Sequence, residues 1–389
     1  MRKISARIVA DSISPQGHRI TSFILTYPRF IHAEVMTHRM FSRNAASSRA
    51  IPFKTMLKSV SEDPFIPIAW QKEHTGMQGT EYITDPAQID YRIGHWMNIA
   101  KKAAQDATDL SQDMIKRFSA KDGDYEILLE SGVTKQLCNR LLEPFLWYTN
   151  LVTATEFENF FELRCPNYTY KGDSYFSRKD LISSYTFATG FEEDKKFLSS
   201  LSDLDWIKMS TSGAEIHIQA LAEAMWDAYN ENTPNQLKPG EWHIPFGDKM
   251  ELTINSPIVR EEEHRIIEAN AGDFSGTIPT IDYSYLINKI KLKVAIARCA
   301  RLSYMTFDNE INYDKDIALY NMLLKSKHAS PFEHVAKCMS KEEYDTFYKG
   351  RLSVGTEYYW PDEENQGWCN NFRGFIPYRY LIENEWNAK

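Results

Sequence analysis

Paired cysteines are missing from this 389-residue chain: Cys138, Cys165, Cys299, Cys338 and Cys369 are odd in number, scattered and never spaced CxxC. That excludes a disulfide framework and a CxxC zinc site, so the expectation is reduced thiols, a cytoplasmic protein and no metal. No apolar run approaches the ~18 residues of a membrane span, and the opening MRKISARIVADSISPQG lacks the apolar stretch of a signal peptide. Positive charge is short, since 45 Lys and Arg against 53 Asp and Glu leave a formal −8. This argues against a general nucleic-acid binder but permits a small local anion site. Glycine-rich phosphate loops are absent as well. Neither GxGxxG nor GxxxxGK[ST] occurs, so a nucleotide would have to be held by side chains. Internal repeats and low-complexity segments are lacking.

What remains is ordinary globular material, 43% apolar and 25% charged, expected to form a single domain over 1–389. Aromatics reach 13%, which suits either stacking on flat ligands or a large aromatic core. Strands are expected over 2–10 and 19–27 around an SPQGH turn, with Pro28 opening a helix. Helices are expected over 90–120, 125–142, 150–164 and 213–230, with another after YSYLINKIKLKVAIARCARLSY. Residues 165–211 show no sustained period and read as an insertion or lid. Residues 231–283 read as loop-rich, and 340–389 as a C-terminal extension.

Three constellations could carry chemistry. MTHRMFSRNAASSRA (36–50) would sit where a helix enters a loop. Its arginines and serines suit a phosphate, although helix-ending serines in a solvated loop give the same composition. KHASPFEHVAKC (327–338) sets His328, Glu333 and His334 around a turn without the spacing of a metal site. NRLLEPF and ENFFELRC place Arg140 and Arg164 on apolar helices, where each would meet an anionic ligand or pair with Glu143 or Glu158.

Together these pieces resemble the flavin-dependent thymidylate synthases. The family's Arg-His-Arg, seven residues, Ser and Arg stand here as Thr37-His38-Arg39, Ser47 and Arg49, with Asn44 in place. Its His-x-(Ser/Thr)-Pro-Phe-Glu-His is matched by His328 to His334, and its ARVS by ARLSY with Ser303. Arg140 to Pro144 and Asn159 to Arg164 complete the set. The order is that of a circularly permuted, phage-type member, with 285–339 as the permuted segment. Thr37, Glu34, Ala45, Ala50, Thr153, Thr155 and Gly213 depart from the family pattern.

The resemblance implies an α+β fold, an antiparallel sheet flanked by helices, assembled as a homo-oligomer, a tetramer. It implies FAD held by His38, Arg39, Asn44, Asn159, Ser303, Ser330 and Glu333, with His328 near flavin and folate. Glu34, Ser47, Arg49, Arg140 and Arg164 would contact a pyrimidine deoxynucleotide monophosphate. Arg164, Ser47 and His328 would carry the chemistry. The implied activity is methylation of dUMP to dTMP at C5, with methylenetetrahydrofolate and NADPH as co-substrates, in the host cytoplasm if phage-encoded. One alternative is a dUMP or dCMP hydroxymethylase, for which Glu34 is the suspect residue. Another is a non-catalytic protein stacking single-stranded nucleic acid on YKGRLSVGTEYYW and NNFRGFIPYRY.

Overall fold

The computed structural model describes residues 2–76, 79–112, 114–120, 123–129, 132–186, 192–270, 280–302, 312–349 and 363–388. Strands Ser5–Ile13 and Arg19–Pro28 form the expected hairpin, turned at Gly17, whose φ of 85° suits a residue without a side chain. The hairpin lies in a five-stranded sheet ordered Ser42–Ala45, Trp147–Ala154, Arg19–Pro28, Ser5–Ile13, Asn235–Gln236. Every pairing is antiparallel except the last, which is parallel.

Alternation along these strands feeds two cores. Phe23, Leu25 and Tyr27 join Tyr148, Val152 and Ala154 on one face, against helices Phe53–Glu62, Pro86–Ser111 and Ile216–Glu231. Val9, Ile24 and Leu151 point the other way, onto Tyr283–Leu302, Tyr313–Lys325 and the short Ser330–His334 helix. Each fully buried Phe or Leu contributes roughly 1.5–3 kcal/mol. The coarse expectation, an antiparallel sheet flanked by helices, agrees with this architecture.

Several element expectations need correcting. Residues 150–154 belong to the strand Trp147–Ala154, and the helix begins only at Glu158. Covered on both faces, WYTNLVTA shows no apolar–polar alternation, so its period misleads. The helix expected over 90–120 ends at Ser111. Met114–Ala120 and Gly123–Leu129 pair as a hairpin where helix had been expected, consistent with the Asp-Gly turn signal between them. Over 135–145 the helix is a short turn followed by a 3-10 segment containing Pro144. Within 231–283 lies the helix Pro257–Asn270.

Residues 165–211 are more ordered than their composition suggests. A hairpin turns on Lys171 and Gly172, both with positive φ, and three helices of nine residues or fewer follow. Tyr168, Leu181, Tyr185, Leu198 and Trp206 form its own small core.

A second, three-stranded sheet joins Trp242–His243, Ala336–Cys338 and Phe375–Pro377. Ala336 and Cys338 pack against Ile20, so the chain after Val335 lies beside the 19–28 strand, the adjacency a permuted order requires. Polar bonds also link the sheets. Ser12 meets His243 Nδ1 at 3.0 Å, and His243 Nε2 meets Ser22 at 2.8 Å. Ser22 meets Thr153 at 2.6 Å, and Thr153 meets His334 Nδ1 at 2.9 Å.

Both imidazoles are fully buried, and burial pushes each down to about 3, with His243 adding to the effect on His334. The unfolded chain protonates them near pH ~6.5, so the native state binds fewer protons in acid. Stability should therefore be full above about pH 6.5 and fall as pH drops, by up to roughly 1.4 kcal/mol per pH unit per imidazole. Urea unfolding from pH 7 to 5 checks this, and His243→Gln should flatten the slope by one proton.

Candidate functional site

The polar cluster starts where helix His32–Met36 ends. Arg43 Nη1 donates to Met36 O at 2.8 Å, and so caps the helix from the next strand. That arginine is spent on structure. The chain enters a short loop over 37–41, as expected, and then forms the edge strand Ser42–Ala45 beside Trp147–Ala154.

His38 is buried, its ring edge-on to Phe160 at 4.8 Å and stacked on Phe41 at 5.8 Å. Arg164 Nε donates to His38 Nε2 at 3.1 Å, and Arg164 Nη2 to the Thr37 hydroxyl at 3.4 Å. Burial, then Arg164 and Arg43, pushes His38 down to about 4. It is a neutral acceptor that aims the arginine.

Asn44, also buried, donates to the Cys299 carbonyl and accepts from Ser330 Oγ at 3.3 Å. One amide thus ties the edge strand to helix Tyr283–Leu302 and to the Ser330–His334 turn. Glu333 on that turn pairs with Arg379, and Asn371 Nδ2 reaches the Arg39 carbonyl at 3.4 Å. Beside Ser42 and Glu333 opens a cavity of about 420 Å³.

A second part forms around Ser47–Ile51. Asn139, with no exposed surface, donates to Ser48 O at 2.6 Å and Ile51 O at 3.1 Å. Lys135 reaches Ala50 O at 3.3 Å. These bonds set the backbone bearing Arg49 beside the backbone bearing Arg140. Arg39, Arg49 and Arg140 are exposed, and among the described residues their guanidinium groups make no hydrogen bond or ion pair. Glu143 pairs with Arg29 at 3.8 Å and Glu158 accepts from the Phe157 N–H, so neither holds Arg140 or Arg164.

The structure thus gathers Thr37, His38, Asn44, Arg164, Ser330 and Glu333. Ser47 is half-buried in the second part. Glu34 is half-buried too, and its Oε2 is buried with no hydrogen-bond donor among the described residues. Asn159 and His328 are exposed and stand apart from these bonds. Ser303 lies outside the described residues. Among the described residues, no group of three or more His, Cys, Asp or Glu could hold a metal ion, and no helix is long and apolar enough to cross a membrane. Sequence reasoning missed Asn139, Asn371 and Arg379. Asn139 was signalled only by being a polar residue beside Arg140, and the other two lie in the extension.

No family model matches the chain, and no curated protein matches it. Among solved structures it is similar to a UMP/dUMP methylase, PolB, from Streptomyces cacaoi bound with 5-Br UMP. That match has 14% identity and a TM-score of 0.37, over 59% of this chain and 90% of that chain. The same enzyme bound with 5-Br dUMP matches at 12% identity and TM-score 0.36, over 59% and 91%. Likeness this distant settles neither fold nor chemistry, so the site stands on its own residues.

Arg164→Ala should raise the His38 pKa from about 4 without restoring it fully, because burial is the larger cause. Titration of the His38 ring by NMR checks it, and an unmoved pKa would mean that Arg164 does not act on the ring. Asn139→Ala, which orphans two buried carbonyls, should cost about 1–3 kcal/mol in urea unfolding.

Proposed function

We propose that this chain is a flavin-dependent thymidylate synthase that methylates dUMP at C5. The carrying observation is convergence. Segments 37–49, 159–164 and 328–334, far apart in sequence, meet beside the Ser42–Ala45 edge strand of the five-stranded sheet through His38–Arg164 and Asn44–Ser330.

The residues fit a flavin. An open polar cavity lies beside Ser42 and Glu333, and one of its lining residues, Asn371, donates to the backbone carbonyl of Arg39. When bound, FAD reduced by NADPH supplies hydride, and methylenetetrahydrofolate supplies the carbon. The chain's own residues position and polarise. Arg49 and Arg140, free of carboxylates among the described residues, would clamp the nucleotide phosphate, with Ser47 adding a hydroxyl. Arg164, aimed by neutral His38, would place a donor where negative charge grows on the pyrimidine as C5 becomes nucleophilic. Ser47 fits a ligand role better than a nucleophilic one, since among the described residues no base is hydrogen-bonded to its hydroxyl. In a homotetramer, exposed Asn159 and His328 would meet a neighbouring copy and complete the flavin and folate contacts.

One observation favours a second reading. The buried Glu34 Oε2 lacks a donor, and the amino group of cytosine would supply one. Under that reading dCMP is the substrate, and with water in place of hydride the product carries a hydroxymethyl group. The single-strand-binding alternative loses ground, because Phe372 and Phe375 of NNFRGFIPYRY are 1% and 0% exposed and serve the core. Residues 350–360 of its other segment lie outside the described residues.

The purified protein should be yellow. Incubated anaerobically with NADPH, methylenetetrahydrofolate and dUMP it should yield dTMP by mass. Absence of both flavin and product, with FAD added, would falsify the proposal. Arg49→Ala and Arg140→Ala should each weaken dUMP binding on the order of 10-fold or more, as expected for a lost charge-assisted bond, while leaving deoxyuridine binding unchanged. Turnover of dCMP instead, abolished by Glu34→Gln, would select the second reading.

A further inference from the structure

Eleven buried side-chain polar atoms have no hydrogen-bond partner among the described residues. Three of them, Arg29 Nε, Glu143 Oε1 and Trp147 Nε1, belong to residues that line one small cavity of about 10 Å³. Trp147 is only 8% exposed, and a buried donor left unpaired costs about 1–3 kcal/mol. Orphaned buried N–H groups are rare, so two of them at one cavity point to an acceptor between them.

Two of the three residues also form an ion pair at the cavity wall. Arg29 Nη2 and Glu143 Oε2 stand 3.8 Å apart, too far for a hydrogen bond. A polar contact of that length is the kind that a water bridges.

Charge and size select the occupant. The charges of Arg29 and Glu143 cancel, so neither sign of ion is favoured. An anion would suit the two N–H donors but meet the Glu143 carboxylate, and a cation would suit Glu143 but meet the donors. A neutral molecule that accepts twice and donates once satisfies all three atoms. A cavity of about 10 Å³ admits a single water, which needs roughly 10–15 Å³ and two to four polar partners. Ser48, Thr55 and Ser59 line the same cavity, so a hydroxyl is at hand for the second hydrogen.

We propose that this cavity holds one water molecule, which accepts from Arg29 Nε and Trp147 Nε1, donates to Glu143 Oε1, and so positions the turn bearing Arg140. It would join three elements. Arg29 follows the strand Arg19–Pro28, Glu143 shares the Asn139–Phe145 segment with Arg140, and Trp147 opens the central strand. The water is argued from the cavity alone; its effect on a nucleotide rests on the phosphate-clamp reading of Arg140.

A high-resolution crystal structure of the full-length protein, and water–indole cross-relaxation by NMR, test it. Loss of one indole resonance in Trp147→Phe assigns Trp147. One density peak should lie ~2.7–3.2 Å from all three atoms, and the Trp147 N–H should show a cross-relaxation peak to water. Glu143→Leu, which removes the acceptor, should lose that peak, and Glu143→Gln, which keeps one, should retain it. Trp147→Phe removes a donor and no charge, and should weaken dUMP binding about three- to ten-fold while leaving deoxyuridine binding unchanged. All three variants are first shown folded by thermal melting. No density at the cavity, a bromide ion in its place after soaking, or an unchanged cross-relaxation peak in folded Glu143→Leu would overturn the water. Unchanged dUMP affinity in folded Trp147→Phe would overturn its positioning role. No dUMP binding by the unmodified protein would remove the nucleotide reading and the positioning role with it, while the water still stands on density and cross-relaxation.

Discussion

The strand Trp147–Ala154 has a hydrogen-bonded neighbour on each edge and a packed layer on each face, and the rest of the molecule is arranged around that constraint. Its even positions Tyr148, Val152 and Ala154 complete one core, and Leu151 enters the other. Its two fully buried polar side chains, Asn150 and Thr153, need partners at that depth, and of their atoms only Asn150 Oδ1 goes without one among the described residues. Asn150 donates to Tyr27 Oη at 3.0 Å, and Thr153 joins Ser22 to His334. Slipping the strand by one residue would exchange both cores and both polar contacts at once, so the register is strongly fixed. With it is fixed the edge strand Ser42–Ala45, whose Asn44 faces Leu151 in the pairing.

That dependence explains why a polar cluster follows an apolar element so abruptly. The cluster runs along the Ser42–Ala45 edge of the sheet. Residues 37–44 there divide their labour. Arg43 and Asn44 turn inward and satisfy backbone carbonyls at Met36 and Cys299, while Arg39 turns outward. Inward groups hold the scaffold rigid, and the outward Arg39 stays unpaired among the described residues in a chain with more acidic than basic residues. An unpaired, exposed arginine adds little to folding stability, so three of them close to one sheet edge fit recognition of an anion better than support of the fold.

What the sequence made legible follows from how local each signal is. The 5–28 hairpin and helix Ile216–Glu231 carry their own turn and period, and both are found close to where the pattern puts them. The strand at 147–154 is hidden because burial on both faces removes alternation, which only its neighbours in space reveal. The 165–211 unit is hidden for the opposite reason, since helices of seven to nine residues are too short for a period to emerge. At the site, family-like motifs pointed to His38, Asn44, Arg164 and Ser330, which do meet. Arg379, which pairs with Glu333 from 46 positions away, and Asn371, which reaches Arg39 from 332 positions away, come from a segment with no motif, so only the fold could supply them.

The proton arrangement in the buried chain from Ser12 to His334 bears on how rigid that site is. Four hydrogen bonds link five groups, and each neutral group brings one proton, so the chain can run in either direction. Running from Ser12 outward, it ends on a His334 Nε2–H with nothing to receive it. Running from His334 Nδ1–H inward, it ends on the Ser12 hydroxyl, which can turn to another acceptor, and leaves His334 Nε2 as a bare acceptor. The Nε2 atom is buried and has no partner among the described residues. Orphaned buried N–H groups are rarer than under-used acceptors, so the second direction is favoured and His334 carries its proton on Nδ1. That tautomer anchors the end of the Ser330–His334 turn to Thr153 on the central strand. Ser330 and Glu333, four and one residues earlier, are then aimed by a hydrogen bond in the core as well as by their own contacts with Asn44 and Arg379. Low pH reaches the site by the same route: protonating either buried imidazole puts a second donor where the chain has room for one, and loosens the turn that presents Glu333 to the cavity.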